Sequence, residues 1–119
     1  MKFRLLLYIL SLKLKSASRK NQAFIDYISD KKLKAQIKTA DNRQGRLYIF
    51  DDGSIKSFPG VHEADFAMVW SDPDTAFKVM TSGNEEASLA ALTERKLVTE
   101  GSYKEFAWFS KALSIMTSG

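Results

Sequence analysis

The sequence contains no cysteine and a single histidine, His62, and these two shortages exclude several kinds of site. Without cysteine there is no disulfide framework, no thiolate-ligated zinc or iron–sulfur centre and no thiol catalysis. His62 lies in a loop, and the chain has no glycine-x-serine-x-glycine elbow, so a serine triad has no positive support. A lone loop histidine is usually a solvated side chain, and the sequence therefore predicts a protein that is not an enzyme and has no catalytic residues.

Cofactor motifs are missing as well. Neither a glycine-rich dinucleotide fingerprint nor a nucleotide-binding P-loop occurs in the chain. The acidic pairs Asp51-Asp52 and Asp72-x-Asp74 fall at a hairpin turn and at a helix start, where local hydrogen bonding already explains them. We therefore expect no cofactor and no metal site.

No apolar run is long enough to cross a membrane. Six apolar residues follow Arg4, but Lys13 and Lys15 interrupt the pattern well before the roughly 18 residues that a span needs. No small-x-small cleavage site follows, so secretion is not expected. The absence of cysteine also fits an intracellular protein, and the expectation is a cytoplasmic location, with peripheral contact to a membrane as an open alternative.

Residues 1–18 are expected to form an amphipathic helix that belongs to the same unit as the rest of the chain. On a helical wheel one apolar stripe is Phe3, Leu6, Leu7, Leu10 and Leu14, and a second, nearly opposite, is Leu5, Tyr8, Ile9 and Leu12. A helix that is apolar on two sides needs two neighbours. One is the domain itself, and the other is a dimer partner, a membrane surface or an apolar ligand beneath a lid.

The 119 residues suffice for one domain, and 45% hydrophobic composition supplies its core. The net charge of +4 is uneven, because residues 1–40 have a net charge of +8. Anionic lipid, an acidic protein or nucleic acid are the partners that such a field attracts. The aromatic run 47–50 lacks the pattern of an RNA-recognition strand and Asp51-Asp52 follows it, so no nucleic acid partner is expected.

Hydrophobic periodicity predicts an α+β fold with a five-stranded, mainly antiparallel sheet covered by helices. Strands are predicted where apolar and polar residues alternate, at 33–38, 46–50, 55–58, 64–70 and 96–100. Ser71 or Asp72 caps the third helix, Gly83 ends it and Asn84 caps the fourth, in which Leu89 (or Ala90) and Leu92 (or Ala91) face inward. Residues 19–119 form this domain, and residues 1–18 add the extra N-terminal helix.

An excess of large apolar side chains has two explanations that composition leaves open. Dense core is one, and the lining of an internal cavity for a flexible apolar ligand is the other. The side chains concerned are Phe50, Phe58, Phe66, Met68, Trp70, Phe77, Met80, Phe106, Trp108 and Phe109.

Several short strings, in this order along residues 20–118, resemble the sterol carrier protein type 2 family. They are Asp52-Gly53, Gly60, Ala64-Asp65, Ser71-x-x-Asp74-x-x-Phe77, Ser82-Gly83, Lys96-Leu97 and Glu100-Gly101. The resemblance implies a five-stranded sheet and helices with an apolar tunnel between them, which holds sterols, fatty acyl chains or other lipids without catalysis. Two features depart from the family. Arg95 stands where a glycine is common, and the apolar residues 2–14 could plug the tunnel or mediate dimerisation.

The resemblance implies lining residues from the fourth strand and from the helices that follow it. Together with Phe50 and Phe58, the predicted lipid-binding set is Phe66, Met68, Trp70, Phe77, Met80, Leu89, Leu92, Phe106, Phe109 and Leu113. The expected function is therefore a lipid or sterol carrier whose partner is an apolar ligand, with contact to anionic membranes through the basic N-terminal segment. The alternatives are a homodimerising or protein-interaction module with a filled core, and an accessory factor that presents lipids such as isoprenoid quinone precursors to enzymes.

Overall fold

The computed structural model describes residues 2–82 and 85–118, and it contains the five helices and five strands that the sequence predicts. The predicted helix stop at Gly83 and the cap at Asn84 lie outside the described residues. In chain order the elements are α1 (Lys2–Lys20), α2 (Gln22–Ile28), β1 (Lys32–Thr39), β2 (Gly45–Asp51), β3 (Ser54–Pro59), β4 (Phe66–Trp70), α3 (Pro73–Ser82), α4 (Glu85–Thr93), β5 (Leu97–Gly101) and α5 (Tyr103–Ser118).

The strands form one open sheet in the order β3-β2-β1-β4-β5. Three of the four neighbouring pairs are antiparallel, and the central pair, β1 with β4, is parallel. The β2–β3 hairpin turns at Asp52 and Gly53, which both have positive φ, as a tight turn between twisted strands requires. The predicted α+β fold with a mainly antiparallel sheet is confirmed.

The two faces of this sheet differ in what lies on them. The covered face packs against the helices through Leu33, Ala35, Ile37, Tyr48, Phe50, Phe66, Met68, Trp70 and Leu97, all buried. The open face carries the exposed side chains of Lys32, Lys34 and Lys56 together with Phe58 and Val98. Alternation along each strand separates the two sets, since successive side chains point to opposite faces.

Helix α1 lies on the covered side, where it contacts β2, β3, α3 and α5. Its inner stripe, Phe3, Leu7, Leu10 and Leu14, is at most 8% exposed. Its outer stripe, Leu5, Tyr8, Ile9 and Leu12, is 38 to 59% exposed. Both predicted stripes are therefore present, except that Leu6, predicted in the inner stripe, is only half-buried. The described part of the chain contains no helix that is long and apolar enough to cross a membrane.

Side-chain caps define where α2 and α3 begin. Asn21 accepts from the Phe24 amide at 3.2 Å, and its own amide donates to the Ile115 carbonyl at 3.1 Å, which ties α2 to α5. Asp72 caps α3 by accepting from the backbone amide of Thr75 at 2.8 Å and from its hydroxyl at 2.9 Å. These hydrogen bonds lower the pKa of the Asp72 carboxyl.

Candidate functional site

Aromatic rings from the sheet and from α5 form one continuous cluster on the covered face. Phe50 of β2 meets Trp108 and Phe109 edge to face, with ring centroids 5.0 and 6.0 Å apart. Phe66 of β4 meets Phe106 at 6.1 Å and Phe109 at 5.6 Å. Two strands separated by β1 thus share one helix, and their rings build an apolar surface that extends across the middle of the sheet.

Helix α5 is held over this surface by α2 and the segment after it. The Tyr27 hydroxyl donates to the Trp108 carbonyl at 3.0 Å, and the two rings stack at 5.0 Å. Burial raises the pKa of Tyr27. The Lys31 ammonium lies 5.2 Å from the Trp108 ring centre and 3.1 Å from a carboxylate oxygen of Glu105. These contacts hold the half-buried Trp108 ring beside Phe50.

Most of the predicted lipid-binding residues lie together in or beside this cluster. Phe50, Phe66, Phe106 and Phe109 are in ring contact, and Met68 and Trp70 are buried on the same face of β4. Half-buried side chains packed against the same core are Met80, Leu92 and Leu113. Phe77 is half-buried on α3, where the Lys2 ammonium lies 5.7 Å from its ring centre.

Two predicted residues lie elsewhere. Phe58 is on the open face and 45% exposed, because it pairs with Leu47 rather than with a covered-face residue. Leu89 is 61% exposed instead of facing inward, and α4 turns Ala91 and Leu92 inward in its place. Helix α4 carries alanine and leucine on several sides, so periodicity could not choose its inner face.

Sequence reasoning did not include Tyr48 or the inner stripe of α1 in the site. Tyr48 is fully buried on the covered face, and its hydroxyl donates to the Leu7 carbonyl of α1 at 2.7 Å. Burial raises the pKa of this phenol, so it stays protonated and remains a donor. The alternation of Tyr48 with Phe50 along β2 is the sequence signal that could have placed both on one face.

Surface clefts of the described residues include one along β5 and one on the open face. One, of about 320 Å³, lies along β5 and is lined by Leu92, Thr93, Arg95, Leu97, Val98 and Thr99. The other, of about 600 Å³, lies where the 61–65 loop crosses the open face, and its lining includes Gln36, Lys38 and Glu100. Neither lining includes a residue of α1, α2 or α5. Over the covered face, the inner stripe of α1 is buried, and the helix contacts β2, β3 and α5.

The groups that sequence reasoning tested for chemistry have local partners. His62 is exposed, and its Nε2 lies 2.8 Å from the Pro59 carbonyl oxygen. Asp52 pairs with Lys32 at 3.6 Å on the surface. Among residues 2–82 and 85–118, no group of three histidine or acidic side chains is arranged to hold a metal ion.

Neither a protein-family model nor a curated protein matches this sequence. Solved structures do. A structure described as the UbiJ-SCP2 ubiquinone synthesis protein aligns over 97% of this chain and 93% of its own, with a TM-score of 0.70 at 10% identity. Sterol carrier protein 2 aligns over 90% of both chains (TM-score 0.59, 19% identity).

The third comparison is with the conserved hypothetical protein TT1886 from Thermus thermophilus. It aligns over 89% of this chain and 77% of its own, with a TM-score of 0.53 at 21% identity. Identities this low show the fold alone. The sheet order, the helices on one face and these alignments agree, and the chain has the fold of sterol carrier protein 2.

Proposed function

We propose that this protein is a non-catalytic lipid-binding or lipid-carrier domain that holds an apolar ligand between the covered face and the helices. The observation that carries the proposal is the aromatic surface shared by β2, β4 and α5 within this fold. The similarity to a structure described as sterol carrier protein 2 supports a lipid as the ligand class. Phe50, Phe66, Met68 and Trp70 supply the sheet side of the site.

Desolvation drives the binding. An apolar chain that leaves water gains about 0.8 kcal/mol for each buried methylene, and the ligand needs few polar contacts to be held. Flexible methionine and large aromatic side chains suit such a ligand, because they adjust to its shape. Met68 is part of the buried core, and Met80 and Met116 are half-buried against it.

The ligand enters by displacing α1. The inner stripe of this helix packs where an apolar chain would lie, and Tyr48 fastens the helix to the sheet through the Leu7 carbonyl. Leucine and phenylalanine side chains that leave the covered face are replaced there by the apolar ligand, so the sheet stays covered in both states. The exchange therefore costs less than exposing the covered face to water would.

Anionic membranes are the proposed docking surface. The outer stripe of α1 is exposed, and no acidic residue interrupts the helix, which carries Lys2, Arg4, Lys13, Lys15, Arg19 and Lys20. Apolar burial and attraction to anionic headgroups add in such a helix. This contact would bring α1 to the bilayer from which the ligand comes, and it favours a peripheral cytoplasmic location.

The carrier could hand its ligand to enzymes. The structure described as the UbiJ-SCP2 ubiquinone synthesis protein, which aligns over nearly the whole chain, supports this accessory role. In that role the ligand would be a lipid intermediate such as an isoprenoid quinone precursor.

The second candidate function is a homodimerisation or protein-interaction module. The observation that favours it is the pair of stripes on α1, because the inner stripe fills the core and the outer stripe leaves four apolar side chains for a partner. In that case the inner stripe of α1 stays on the covered face, and no ligand replaces it.

Native mass spectrometry of protein purified from cells, followed by extraction into organic solvent, separates the two functions. The carrier is expected to retain a lipid at close to one molecule per chain, and extraction identifies its chemical type. A ligand-free mass with concentration-dependent dimers would contradict the carrier and favour the interaction module.

A further inference from the structure

Among the described residues, the indole Nε1 of Trp70, on the covered face, and the side-chain oxygen Oε1 of Gln44, in the turn between β1 and β2, are buried polar atoms that have no hydrogen-bond partner. Trp70 is 1% exposed, in the core. Unpaired buried groups are uncommon, because a polar group that reaches neither water nor a partner destabilises the folded state. One of the two atoms is a donor and the other is an acceptor.

The sheet register brings these residues to one corner. Thr39, at the end of β1, lies opposite Trp70 of β4. On its other side the Thr39 amide donates to the Gln44 carbonyl at 2.9 Å, one step beyond the pairing of Lys38 with Gly45. Gly45 lies on the open face, where an added Cβ would be 2.9 Å from Nε2 of Gln36. Gln44 therefore shares the covered face with Thr39 and Trp70.

The residue between them, Thr39, cannot satisfy the Gln44 oxygen. The Thr39 hydroxyl donates to a carboxylate oxygen of Asp41 at 2.6 Å and accepts from the Gln44 amide at 3.3 Å. Its one hydrogen is committed to Asp41, so it has none for the Gln44 side-chain oxygen. The Trp70 donor and the Gln44 acceptor both remain without a partner.

The corner lies next to the first turn of α1. The Arg4 guanidinium donates to the carbonyl of Arg43 at 3.3 Å, directly before Gln44 in the chain. The Lys2 ammonium lies over the ring of Phe77 in α3, the helix that follows Trp70. The same helix whose displacement would admit a ligand thus adjoins the two unpaired atoms.

We propose that Gln44 and Trp70 form a head-group site for a neutral lipid alcohol; this rests on the proposed lipid-binding function. The Trp70 N–H donates to the hydroxyl oxygen, and the hydroxyl donates its hydrogen to the Gln44 oxygen, while the apolar chain extends over the aromatic surface. A hydroxyl is both donor and acceptor, which is the complement of this pair. A carboxylate would meet the Gln44 oxygen with no hydrogen to share, and a hydrocarbon would satisfy neither atom.

The test compares three probes of one chain length: decan-1-ol, 1-methoxydecane, which accepts but cannot donate, and decane. The affinity of each is measured by how well it displaces a fluorescent apolar dye, 1-N-phenylnaphthylamine, from the full chain. Trp70→Phe is expected to weaken the binding of the alcohol and of the ether by about tenfold each and to leave the binding of decane unchanged. Gln44→Met is expected to weaken only the binding of the alcohol, by about tenfold. Circular dichroism checks the fold of each variant.

Trp108→Phe is the matched control, since it makes the same exchange away from the corner and is expected to affect the three probes equally. If Trp70→Phe and Gln44→Met also change all three probes equally, or change none, the head-group site is wrong while lipid binding stands. If the wild-type protein binds neither 1-N-phenylnaphthylamine nor any of the three, both proposals fail. Gln44→Met keeps the test decisive should Trp70→Phe not fold.

Discussion

The two apolar stripes of α1 consist of similar residues in opposite environments. Both are made of large apolar side chains, yet the inner stripe is buried against the sheet and the outer stripe is 38 to 59% exposed. The inner stripe contributes to the stability of the fold, because it is part of the core. The outer stripe is not needed for folding, and large exposed apolar patches mark interaction surfaces. Stability and function can therefore be altered separately on this one helix.

The largest expected effect is on the free energy of unfolding, which a change in the inner stripe should lower far more than a change in the outer stripe. Leu14 is fully buried and Leu12 is 47% exposed, two positions apart on the same helix. Leu14→Ala is expected to lower the free energy of unfolding by about 2–5 kcal/mol, because it removes buried methylenes and leaves a cavity. Leu12→Ala is the matched control and is expected to change it by less than about 0.5 kcal/mol. Urea denaturation measures both, and equal losses would contradict the burial difference.

The next effect concerns membranes. Leu5→Ala and Leu12→Ala are each expected to weaken binding to vesicles that contain anionic phosphatidylglycerol, by about tenfold, because each removes most of a side chain that enters the bilayer surface. Vesicle sedimentation measures the bound fraction, which should also fall with added salt, since the cations of α1 attract the headgroups.

The control for the membrane experiment is Leu89→Ala. Leu89 is 61% exposed but lies on α4, away from the outer stripe, and its removal should leave vesicle binding unchanged. If the α1 variants bind vesicles like wild type and lose dimerisation instead, the outer stripe serves a second copy of the chain.

A smaller effect on stability is expected at the start of α3, which differs from the start of α1. The first turn of α1 has no acidic residue and carries Lys2 and Arg4, which the positive end of the helix dipole disfavours. Asp72 caps α3, and Asp74 lies in its first turn. Asp72→Ala is therefore expected to cost about 1 kcal/mol of stability at pH 7.

That cost should depend on pH. Hydrogen bonds lower the Asp72 pKa from its ordinary value of 3.8, so the folded state favours the charged carboxyl. The stabilisation is complete above pH 3.8 and is lost as the pH falls through the lowered pKa of the folded state. Unfolding of wild type and Asp72→Ala at a series of pH values below 4 should show their difference shrinking. A constant difference would mean that the charge does not contribute.

The faces of the strands were predictable from the sequence, whereas the occupant of the covered face was not. Period-2 alternation placed Phe66, Met68 and Trp70 on one face, and the structure confirms it. Such alternation is local, so it needs no knowledge of the rest of the chain. Which stripe of α1 faces the sheet depends on contacts with distant strands, and leucines on both sides of the helix gave no signal.

Other features depend on long-range geometry in the same way. The parallel pairing of β1 with β4 brings Thr39 beside Trp70, although they are far apart in the chain. The polar corner formed by Gln44 and Trp70 exists only because of that register. For α4 the sequence offered alanine and leucine at neighbouring positions, and only packing selected Ala91 and Leu92 over Leu89.

The smallest effect tests the bond that joins the inner stripe to the sheet. Tyr48→Phe removes the hydrogen bond to the Leu7 carbonyl, which keeps its helical partner, so stability should fall by only about 0.5–1 kcal/mol. If α1 must leave the sheet to admit a ligand, the same change raises the open population by about two- to fivefold. Stopped-flow uptake of 1-N-phenylnaphthylamine should accelerate by that factor. Tyr103→Phe, at a residue 71% exposed, is the control that should change neither quantity. A destabilised Tyr48→Phe with unchanged uptake would show that the ligand reaches the covered face without moving α1.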